Sequence, residues 1–270
     1  MLVIPHGPDH VVPTASPGIR WLNRNMNQPI AVVTGASSGI GAASARALAA
    51  DGFKVFCAAR RIDRLEALAA EIGGVAVRCD TTDPASVRGL VEIVGERVDL
   101  LLNNAGGAIG VDPIETADPD DWNRMYQINV AGTLRVTQGL LPAVEAAHGA
   151  MVFITSTAAE TAYEGGGGYC GAKSAERYLV GSLRLELAGR PIRVCEISPG
   201  MVHTEEFSLV RLGDQAAADA VYAGVDHPLL AEDIAEAVRW IASLSEYVNI
   251  DRLVIRPRAQ ASNWKVARDA

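Results

Sequence analysis

Three residues near the middle of the chain have the types and spacing of an acid–base site. Tyr169 and Lys173 lie four residues apart behind a run of four glycines, and Ser156 precedes that run. If residues 168–189 form a helix, the i,i+4 spacing places the phenol and the ammonium on one face. A phenol with an unperturbed pKa of about 10 is a poor base at neutral pH, but a nearby ammonium favours the phenolate. The pattern therefore predicts a tyrosine that exchanges a proton with a substrate oxygen held by Ser156, although the same Tyr-x-x-x-Lys spacing also occurs on ordinary amphipathic helices.

A glycine-rich turn stands near the start of the chain's periodic part. The apolar run 30–33 is typical of a buried parallel strand, and Gly35, Gly39 and Gly41 lie between it and an alanine-rich helical stretch. Such a unit lets the backbone approach a pyrophosphate and offers the free N–H groups of a helix start to an anion. Glycines also end strands for purely conformational reasons. The strand and the helix on either side favour a dinucleotide site.

The elements that must position these residues alternate along the chain. Strands are predicted at 30–33, 54–59, 75–79, 100–103, 150–154, 192–197 and 253–255, and the main helices at 42–50, 61–71, 119–147 (one long or broken helix), 168–188 and 232–243. This alternation, with no repeat or linker, predicts a single-domain α/β fold with a Rossmann-type doubly wound parallel β-sheet and helices on both faces. Residues 1–28 are rich in Pro, Gly, His and Asn and are expected to form an N-terminal extension, which leaves residues 29–270 as the domain.

Composition narrows the class of protein. The 270 residues are 49% hydrophobic and 21% charged, which is ordinary for a soluble globular chain. A net charge of −8 without a basic block argues against a nucleic-acid or anionic-membrane surface. Neither an 18-residue apolar run nor a secretory signal is visible, and the four cysteines form no CxxC pair, so we expect a cytoplasmic protein. The five histidines lack metal-ligand spacing, so no metal site is expected.

In their joint order, these motifs resemble those of the short-chain dehydrogenase/reductase family. The resemblance covers about residues 30–255 and is carried by Thr34–Gly41 (TGASSGIG), Asp80, Asn103-Asn104-Ala105-Gly106, Asn129, Ser156, Tyr169-x-x-x-Lys173 and Pro199-Gly200. It implies hydride transfer between NAD(P) and a carbinol or carbonyl carbon. All of these motif positions are present, which favours an enzyme over a non-catalytic nucleotide-binding regulator on the same fold.

The resemblance also implies a role for each residue. Tyr169 would be the acid and base, Ser156 would orient the substrate oxygen, and Lys173 would bind the nicotinamide ribose. Asn129 would support a proton-relay water. The cofactor would contact Gly35, Ser37, Ser38, Gly39, Ile40, Gly41, Arg60, Arg61, Asp80, Asn103, Ala105, Gly106, Tyr169, Lys173, Pro199, Gly200, Val202 and Thr204.

Family members commonly assemble through the two long helices, here 119–147 and 168–188, so the resemblance implies a homotetramer. The second helix carries a stripe of small and apolar residues that suits close helix packing: Ala172, Ala175, Leu179, Ser182 and Leu183. The same stripe could equally cover the sheet.

The end of the second strand predicts NADP rather than NAD as the cofactor. NAD enzymes of this architecture usually carry an acid there, about 20 residues beyond the glycine turn, for the ribose 2′-hydroxyl. Ala59 occupies that place, and Arg60 and Arg61 follow it. Without the acid a 2′-phosphate is not repelled, and guanidinium groups can grip it. The alternative is that both arginines merely start an exposed helix.

Segments in the second half resemble the NADP-dependent 3-hydroxy acid (serine) dehydrogenase group of the family. They are Glu206-Phe207-Ser208-x-Val210-Arg211, Val248-Asn249-Ile250-Asp251-x-Leu253 and Arg256-Pro257, whereas the N-terminal extension and the glycine run 165–168 depart from that group. A small β-hydroxy acid, or its oxo form, is the implied substrate, with Arg211 on its carboxylate and Arg256 in reserve. Two alternatives stay open: Arg211 pairs with Glu206 or Asp214 on the surface, or the enzyme is a general carbonyl reductase for apolar aldehydes and ketones.

Overall fold

A seven-stranded parallel sheet forms the centre of the computed structural model, which describes residues 28–269. Its strand order is β3-β2-β1-β4-β5-β6-β9, and β7 pairs with β8 in a small separate sheet. The strands are β1 Ile30–Thr34, β2 Lys54–Ala59, β3 Val75–Arg78, β4 Leu100–Asn103, β5 Ala150–Ile154, β6 Arg193–Pro199, β7 Val202–His203, β8 Leu229–Leu230 and β9 Leu253–Ile255. The predicted Rossmann-type fold is confirmed. Because β1 lies between β2 and β4, the chain reverses its direction across the sheet there, and a crevice opens at the carboxyl ends of the two neighbouring strands.

Helices cover both faces of this sheet. They are α1 Gly39–Ala50, α2 Ile62–Ile72, α3 Pro84–Val94, α4 Pro119–Tyr126, α5 Gly132–Ala146, α6 Gly167–Glu186, α7 Phe207–Leu212, α8 Gln215–Tyr222 and α9 Ala231–Ser243. Successive strand residues point to opposite faces, so Val33 packs in the cluster under α1, α2 and α9, whereas Val32 packs in the cluster under α3, α5 and α6. Strands buried on both faces read as continuous apolar runs, which is why the sequence revealed them.

The start of a helix is set by a capping side chain in two places that matter for the site. The Asp83 carboxylate accepts a hydrogen bond from the Ala85 amide, and Pro84 fills the first turn of α3. Asp118 and Pro119 repeat this arrangement at the start of α4. Proline costs nothing at this position because its missing N–H would have no partner within the helix.

The region 119–147, expected as one long or broken helix, is broken by a π-helical segment, Gln127–Ala131, between α4 and α5. The structure differs from the sequence-based expectations in two ways. The first helix begins at Gly39, inside the glycine motif, rather than after it. Helix α8 and the short β7–β8 pair were not predicted. Residues 1–27, nearly all of the expected N-terminal extension, lie outside the described residues. Within the described part of the chain, no helix is both long and apolar enough to cross a membrane.

Candidate active site

A cleft of about 540 Å³ opens at the carboxyl ends of the strands, beside the switch between β1 and β4. Most of the predicted site residues line it: Gly35, Ser37, Ser38, Gly39, Ile40, Arg60, Arg61, Asp80, Ala105, Gly106, Ser156, Tyr169, Lys173, Pro199, Gly200, Val202, Thr204 and Arg211. Gly41, Asn103 and Asn129 do not line it. These three lie directly behind the cleft and support its walls, as their contacts show.

The Thr34 hydroxyl joins the ends of the two strands that flank the crevice. It donates a hydrogen bond to the Leu102 carbonyl (3.2 Å) and accepts one from each of the Asn104 and Ala105 amides (both 3.0 Å). The Asn104 side chain returns a bond to the Thr34 carbonyl at 2.9 Å. Asn103, 3% exposed, donates its side-chain amide to Thr137 at 3.3 Å and so anchors the end of β4 to α5.

The glycine turn leaves the start of α1 open to the cleft. A Cβ at Gly41 would collide with the Gly35 carbonyl oxygen, so glycine at 41 allows the helix to pack directly on the turn. Gly35 and Gly39 adopt positive φ values of 65° and 49°. The Ser38 side chain makes no capping hydrogen bond, and the first turn of α1 contains no acid. The free N–H groups at this helix start therefore fit an anionic group such as a pyrophosphate.

The two adjacent arginines after β2 differ in their partners. Arg61 forms a bidentate pair with the Glu206 carboxylate (2.7 Å for each N···O contact) and also donates to Ser37 and Ser38. Arg64 contacts the same carboxylate, and hydrogen bonding from Arg61 chiefly lowers the pKa of Glu206 to about 2. Arg60 also lines the cleft, yet its guanidinium forms no ion pair with any of residues 28–269. Of the two, only Arg61 forms an ion pair among the described residues.

Asp80 closes the cleft beyond Arg60. One of its carboxylate oxygens accepts hydrogen bonds from the Thr82 amide (2.9 Å) and hydroxyl (2.7 Å). Burial raises the pKa of Asp80, but the bonds from Thr82 and the nearby Arg60 charge outweigh burial, so the pKa lies below its usual value. Asp80 is thus held as a carboxylate with a fixed orientation.

Helix α6 brings Tyr169 and Lys173 into the cleft, as the i,i+4 spacing predicted. Tyr169 is 8% exposed and packs edge-on against the Phe207 ring, with centroids 5.7 Å apart. Lys173 is 4% exposed and donates to the Ile154 carbonyl at 3.0 Å. Ser156 caps a 3₁₀ turn after β5, and its oxygen accepts a hydrogen bond from the Ala158 amide at 3.1 Å. The serine's own proton stays available for a substrate oxygen.

Asn129 lies in the π-helical segment and fixes the loop after β4. Its side-chain amide donates to the Gly107 and Met125 carbonyls (both 2.8 Å), and its oxygen accepts from the Gly107 amide (3.1 Å). A Cβ at Gly106 would approach the Asn129 oxygen to 2.6 Å and the Lys173 ammonium nitrogen to 3.3 Å. Glycine at 106 therefore lets this loop pass beside both groups. π-Helical insertions are often found at functional sites.

Arg211 projects from α7 into the cleft beside Tyr163 and Tyr169. Its guanidinium donates to the Gly110 carbonyl (3.0 Å), the Tyr163 hydroxyl (3.0 Å) and the Gly165 carbonyl (3.3 Å). The guanidinium carbon also lies 5.7 Å from the centre of the Tyr169 ring. The surface pairs with Glu206 or Asp214 that the sequence left open are not formed. The reserve candidate Arg256 pairs with Glu160 at 3.3 Å, and it is not among the residues that line the cleft.

The glycine run 165–168 is explained by close packing at the entrance to the cleft. At each position an added Cβ would come within 3 Å of a neighbouring atom. Those neighbours are the Val111 carbonyl oxygen at Gly165, the Tyr163 ring at Gly166, the Trp122 ring at Gly167, and Trp122 with Met125 at Gly168. The run therefore brings the start of α6 into direct contact with α4 and with the loop before it.

Several residues of the site were not among those predicted from the sequence, although Phe207 belongs to a segment that carried the resemblance. Tyr163, Phe207, Gln260 and Asn263 line the cleft, and the last two come from the tail after β9. Asn263 joins that tail to Thr157 by side-chain bonds of 2.8 and 3.0 Å. No periodicity marks the tail, so only the fold reveals this contribution. A fifth residue, Glu176, lies three positions after Lys173, and its helical spacing could have identified it.

Metal-ligating side chains do not cluster within residues 28–269: no group of three or more His, Cys, Asp or Glu residues there could hold a metal ion. The four cysteines, Cys57, Cys79, Cys170 and Cys195, are buried free thiols. Burial raises the pKa of Cys57 and of Cys79 to about 11, so neither is a reactive thiolate at neutral pH.

Comparison with known proteins agrees with this geometry. The family model for short chain dehydrogenases matches residues 29–215. An uncharacterized oxidoreductase of Mycobacterium tuberculosis is 54% identical over 86% of this chain and 92% of its own length. Serine 3-dehydrogenase of Agrobacterium fabrum is 40% identical over 88% of this chain and 98% of its own. A closed form of serine dehydrogenase complexed with NADP⁺ superimposes with a TM-score of 0.83 at 34% identity, covering 89% of this chain and all of the other. The chain therefore belongs to the short-chain dehydrogenase/reductase family of NAD(P)-dependent oxidoreductases.

Proposed function

We propose that this protein is an NADP-dependent dehydrogenase that interconverts a small 3-hydroxy acid and its oxo form. The observation that carries the proposal is the Arg211 guanidinium, which lies in the cleft beside Tyr169 with only uncharged hydrogen-bond partners. The name of the Agrobacterium relative points the same way, since serine is itself a 3-hydroxy acid. The second candidate, a general carbonyl reductase, is favoured by the apolar rings of Tyr163 and Phe207 at the same end of the cleft.

The chain's own residues supply binding, orientation and proton transfer. The glycine turn, the open start of α1, Arg60 and Lys173 would hold the cofactor, whose nicotinamide supplies hydride exchange when bound. The Ser156 hydroxyl donates to the substrate oxygen, because its own oxygen already accepts from the Ala158 amide. Tyr169 takes the hydroxyl proton during oxidation and returns it during reduction. The Lys173 ammonium, one helical turn away, favours the phenolate that this step needs.

Replacement of Tyr169 by Phe tests the proton transfer. This change keeps the ring that packs on Phe207 and removes the hydroxyl, so turnover should fall by a factor of about 10² or more while cofactor binding survives. Steady-state rates and NADP(H) titration measure the two effects. Tyr247→Phe is the matched control, because Tyr247 is 84% exposed and does not line the cleft. Full turnover in Tyr169→Phe would leave the mechanism without its base.

The preference for NADP rests on the different partners of the two arginines. Both carboxylate oxygens of Glu206 already bond to Arg61, whereas the Arg60 guanidinium makes no ion pair with the described residues. A guanidinium without a carboxylate partner can bind the doubly charged 2′-phosphate with charge-assisted hydrogen bonds. Ala59, in place of an acid, leaves no carboxylate there to repel that phosphate. The NADP⁺ complex of the similar serine dehydrogenase supports the same choice.

Replacement of Arg60 by Ala should reduce kcat/KM for NADP by about tenfold or more and leave the value for NAD nearly unchanged. The reason is that a lost charge-assisted bond costs about 1.5–3 kcal/mol, and NAD lacks the phosphate that receives it. Arg88→Ala, at an exposed position of α3, serves as the control for a general loss of positive charge. Equal efficiency of the wild-type enzyme with both cofactors would contradict the proposal.

Arg211 has the donors that a carboxylate ligand requires. A guanidinium carries five N–H groups, and three of them bond to Gly110, Tyr163 and Gly165. These acceptors fix the plane of the group but do not neutralise its charge. Two donors remain for a carboxylate, and the group lies over the Tyr169 ring, beside the position where the hydroxyl of the substrate would react.

A 3-hydroxy acid and its neutral methyl ester separate the two candidate functions. In Arg211→Ala, the acid should lose about 2 kcal/mol in kcat/KM, because a charged hydrogen-bond pair is removed. The ester should lose little, and it also reports any damage from untethering the loops around Gly110 and Gly165. Arg211→Lys keeps the charge but loses the planar fork, so it should recover only part of the loss. Equal losses for acid and ester, or a wild-type enzyme without preference for the acid, would favour the general carbonyl reductase.

We also infer that the protein is a cytoplasmic homotetramer. Leu134 on α5 and Tyr178 and Leu185 on α6 are exposed apolar side chains, the last two at 78% and 81%. Such residues on neighbouring helices suit a subunit interface. By contrast, Leu179 and Leu183 of the predicted stripe pack toward the sheet, which agrees with the alternative use of that stripe. A single 28.5 kDa particle in light scattering at micromolar concentration would contradict the tetramer.

A further inference from the structure

Glu176 is a buried carboxyl group that the mechanism above does not use. It is 1% exposed and lies on α6, one turn after Lys173. One carboxylate oxygen accepts from the Lys173 ammonium at 2.7 Å, and the other accepts from the Thr133 hydroxyl at 3.3 Å. Burying a charge is costly unless it is paired and hydrogen-bonded, and without this carboxylate the buried Lys173 ammonium would lose its paired charge. The pair is therefore better explained by what it does to Lys173.

The first effect is on the direction of the lysine side chain. An ammonium has three donors, and Glu176 and the Ile154 carbonyl take two of them at 2.7 and 3.0 Å. The nitrogen also lies 3.3 Å from the position of a Cβ on Gly106, a residue that lines the cleft. Two fixed bonds behind the ammonium leave the third donor for the cleft.

The second effect is on charge. Burial lowers the pKa of Lys173. The effects of Glu176, Tyr169 and Glu196 raise it and outweigh burial, so the pKa lies above its usual value. Lys173 is therefore an ammonium that interacts with both the Tyr169 phenol and the Glu176 carboxylate. Burial is also the largest influence on Glu176 and raises its pKa, against the opposing attraction of the ammonium.

Other charged groups around the pair come from three further elements. Glu196 on β6 acts on both members of the pair, and it is itself bonded to Thr155 and lies 3.5 Å from Arg252. Arg211 on α7 faces the Tyr169 ring, and Tyr163 lies between this arginine and the start of α6. None of these groups contacts the Lys173 ammonium directly, so Glu176 is its nearest charge.

We propose that Glu176 is a positioning residue of the reaction, which directs the Lys173 ammonium into the cleft and offsets part of its charge. Lys173 alone would favour the Tyr169 phenolate strongly. The paired lysine favours it less, so the carboxylate moves the onset of alcohol oxidation to higher pH. This inference rests on the proposed role of Tyr169 as the base.

Replacement of Glu176 by Gln tests the charge. Gln keeps an oxygen that accepts from Lys173 but removes the negative charge, so the rising limb of the rate of alcohol oxidation should move to lower pH by about 1 unit. The same shift should occur in the tyrosinate absorbance of the protein, taken as the difference from the Tyr169→Phe variant. This optical titration needs no substrate. Glu186→Gln, at the exposed end of α6, is the matched control and should leave both curves in place.

Replacement of Glu176 by Asp tests the anchoring. Asp keeps the charge but withdraws the carboxylate from Lys173 by one methylene, so the pH limb should stay within half a unit of the wild-type position. The Kd for NADPH, measured by fluorescence titration, should rise about threefold or more because the lysine loses its fixed bond. A purely structural role predicts a lower melting temperature instead, with an unchanged Kd in the Asp variant and an unchanged pH profile in the Gln variant.

The outcomes separate this inference from the function on which it rests. If Tyr169→Phe keeps full turnover, the proposed base itself is wrong. If Tyr169→Phe is inactive but the Gln variant shows neither shift, only the role of Glu176 is overturned. Should the Gln variant fail to fold, the Asp variant decides, and an unchanged Kd for NADPH there overturns the proposal.

Discussion

The cleft depends on one hydroxyl, that of Thr34. Adjacent parallel strands normally continue to pair, yet a dinucleotide site requires the chains after β1 and β4 to diverge at the same level of the sheet. The Thr34 side chain takes over where backbone pairing stops: it bonds to the Leu102 carbonyl and receives the Asn104 and Ala105 amides. Buried amides without partners would be costly, and this hydroxyl satisfies two of them while leaving the loop folded back from the crevice.

Four cations face the cleft of a protein whose net charge is −8, and their partners distinguish their roles. Glu206 neutralises Arg61 at the rim, and Glu176 pairs with Lys173 in the interior. Arg211 is held only by carbonyl and hydroxyl groups, and Arg60 forms no ion pair with the rest of the described chain. A cation paired with a carboxylate chiefly stabilises the protein. A cation bonded only to neutral groups keeps its net charge and can attract an anionic ligand. This distinction underlies the separate roles proposed for the four groups.

The sequence predicted those parts of the fold and the site that depend on local pattern. Buried strands were predicted from continuous apolar runs, and the placement of Tyr169 and Lys173 on one helix face from the period of 3.6 residues; both are present as predicted. The π-helical segment around Asn129 was not foreseen, because five residues are too few to show a period of their own. Nor could the sequence distinguish Arg60 from Arg61, since the partner of Arg61 is Glu206, which lies 145 positions further along the chain. Contacts of this kind form only when distant parts of the chain come together in the folded protein.

The bridge between Glu206 and Arg61 has a kinetic consequence. It joins the segment that ends at Glu206, directly before α7, to Arg61, directly before α2, and both residues line the cleft. That segment cannot lift without separating charges at a partly exposed rim, where dissolved ions screen their attraction. Tyr169 and Lys173 are buried beneath and are shielded from such screening. Added salt is therefore expected to weaken the bridge at the rim and to speed the release of a bound ligand, while it leaves the buried pair of Lys173 and Glu176 almost unaffected.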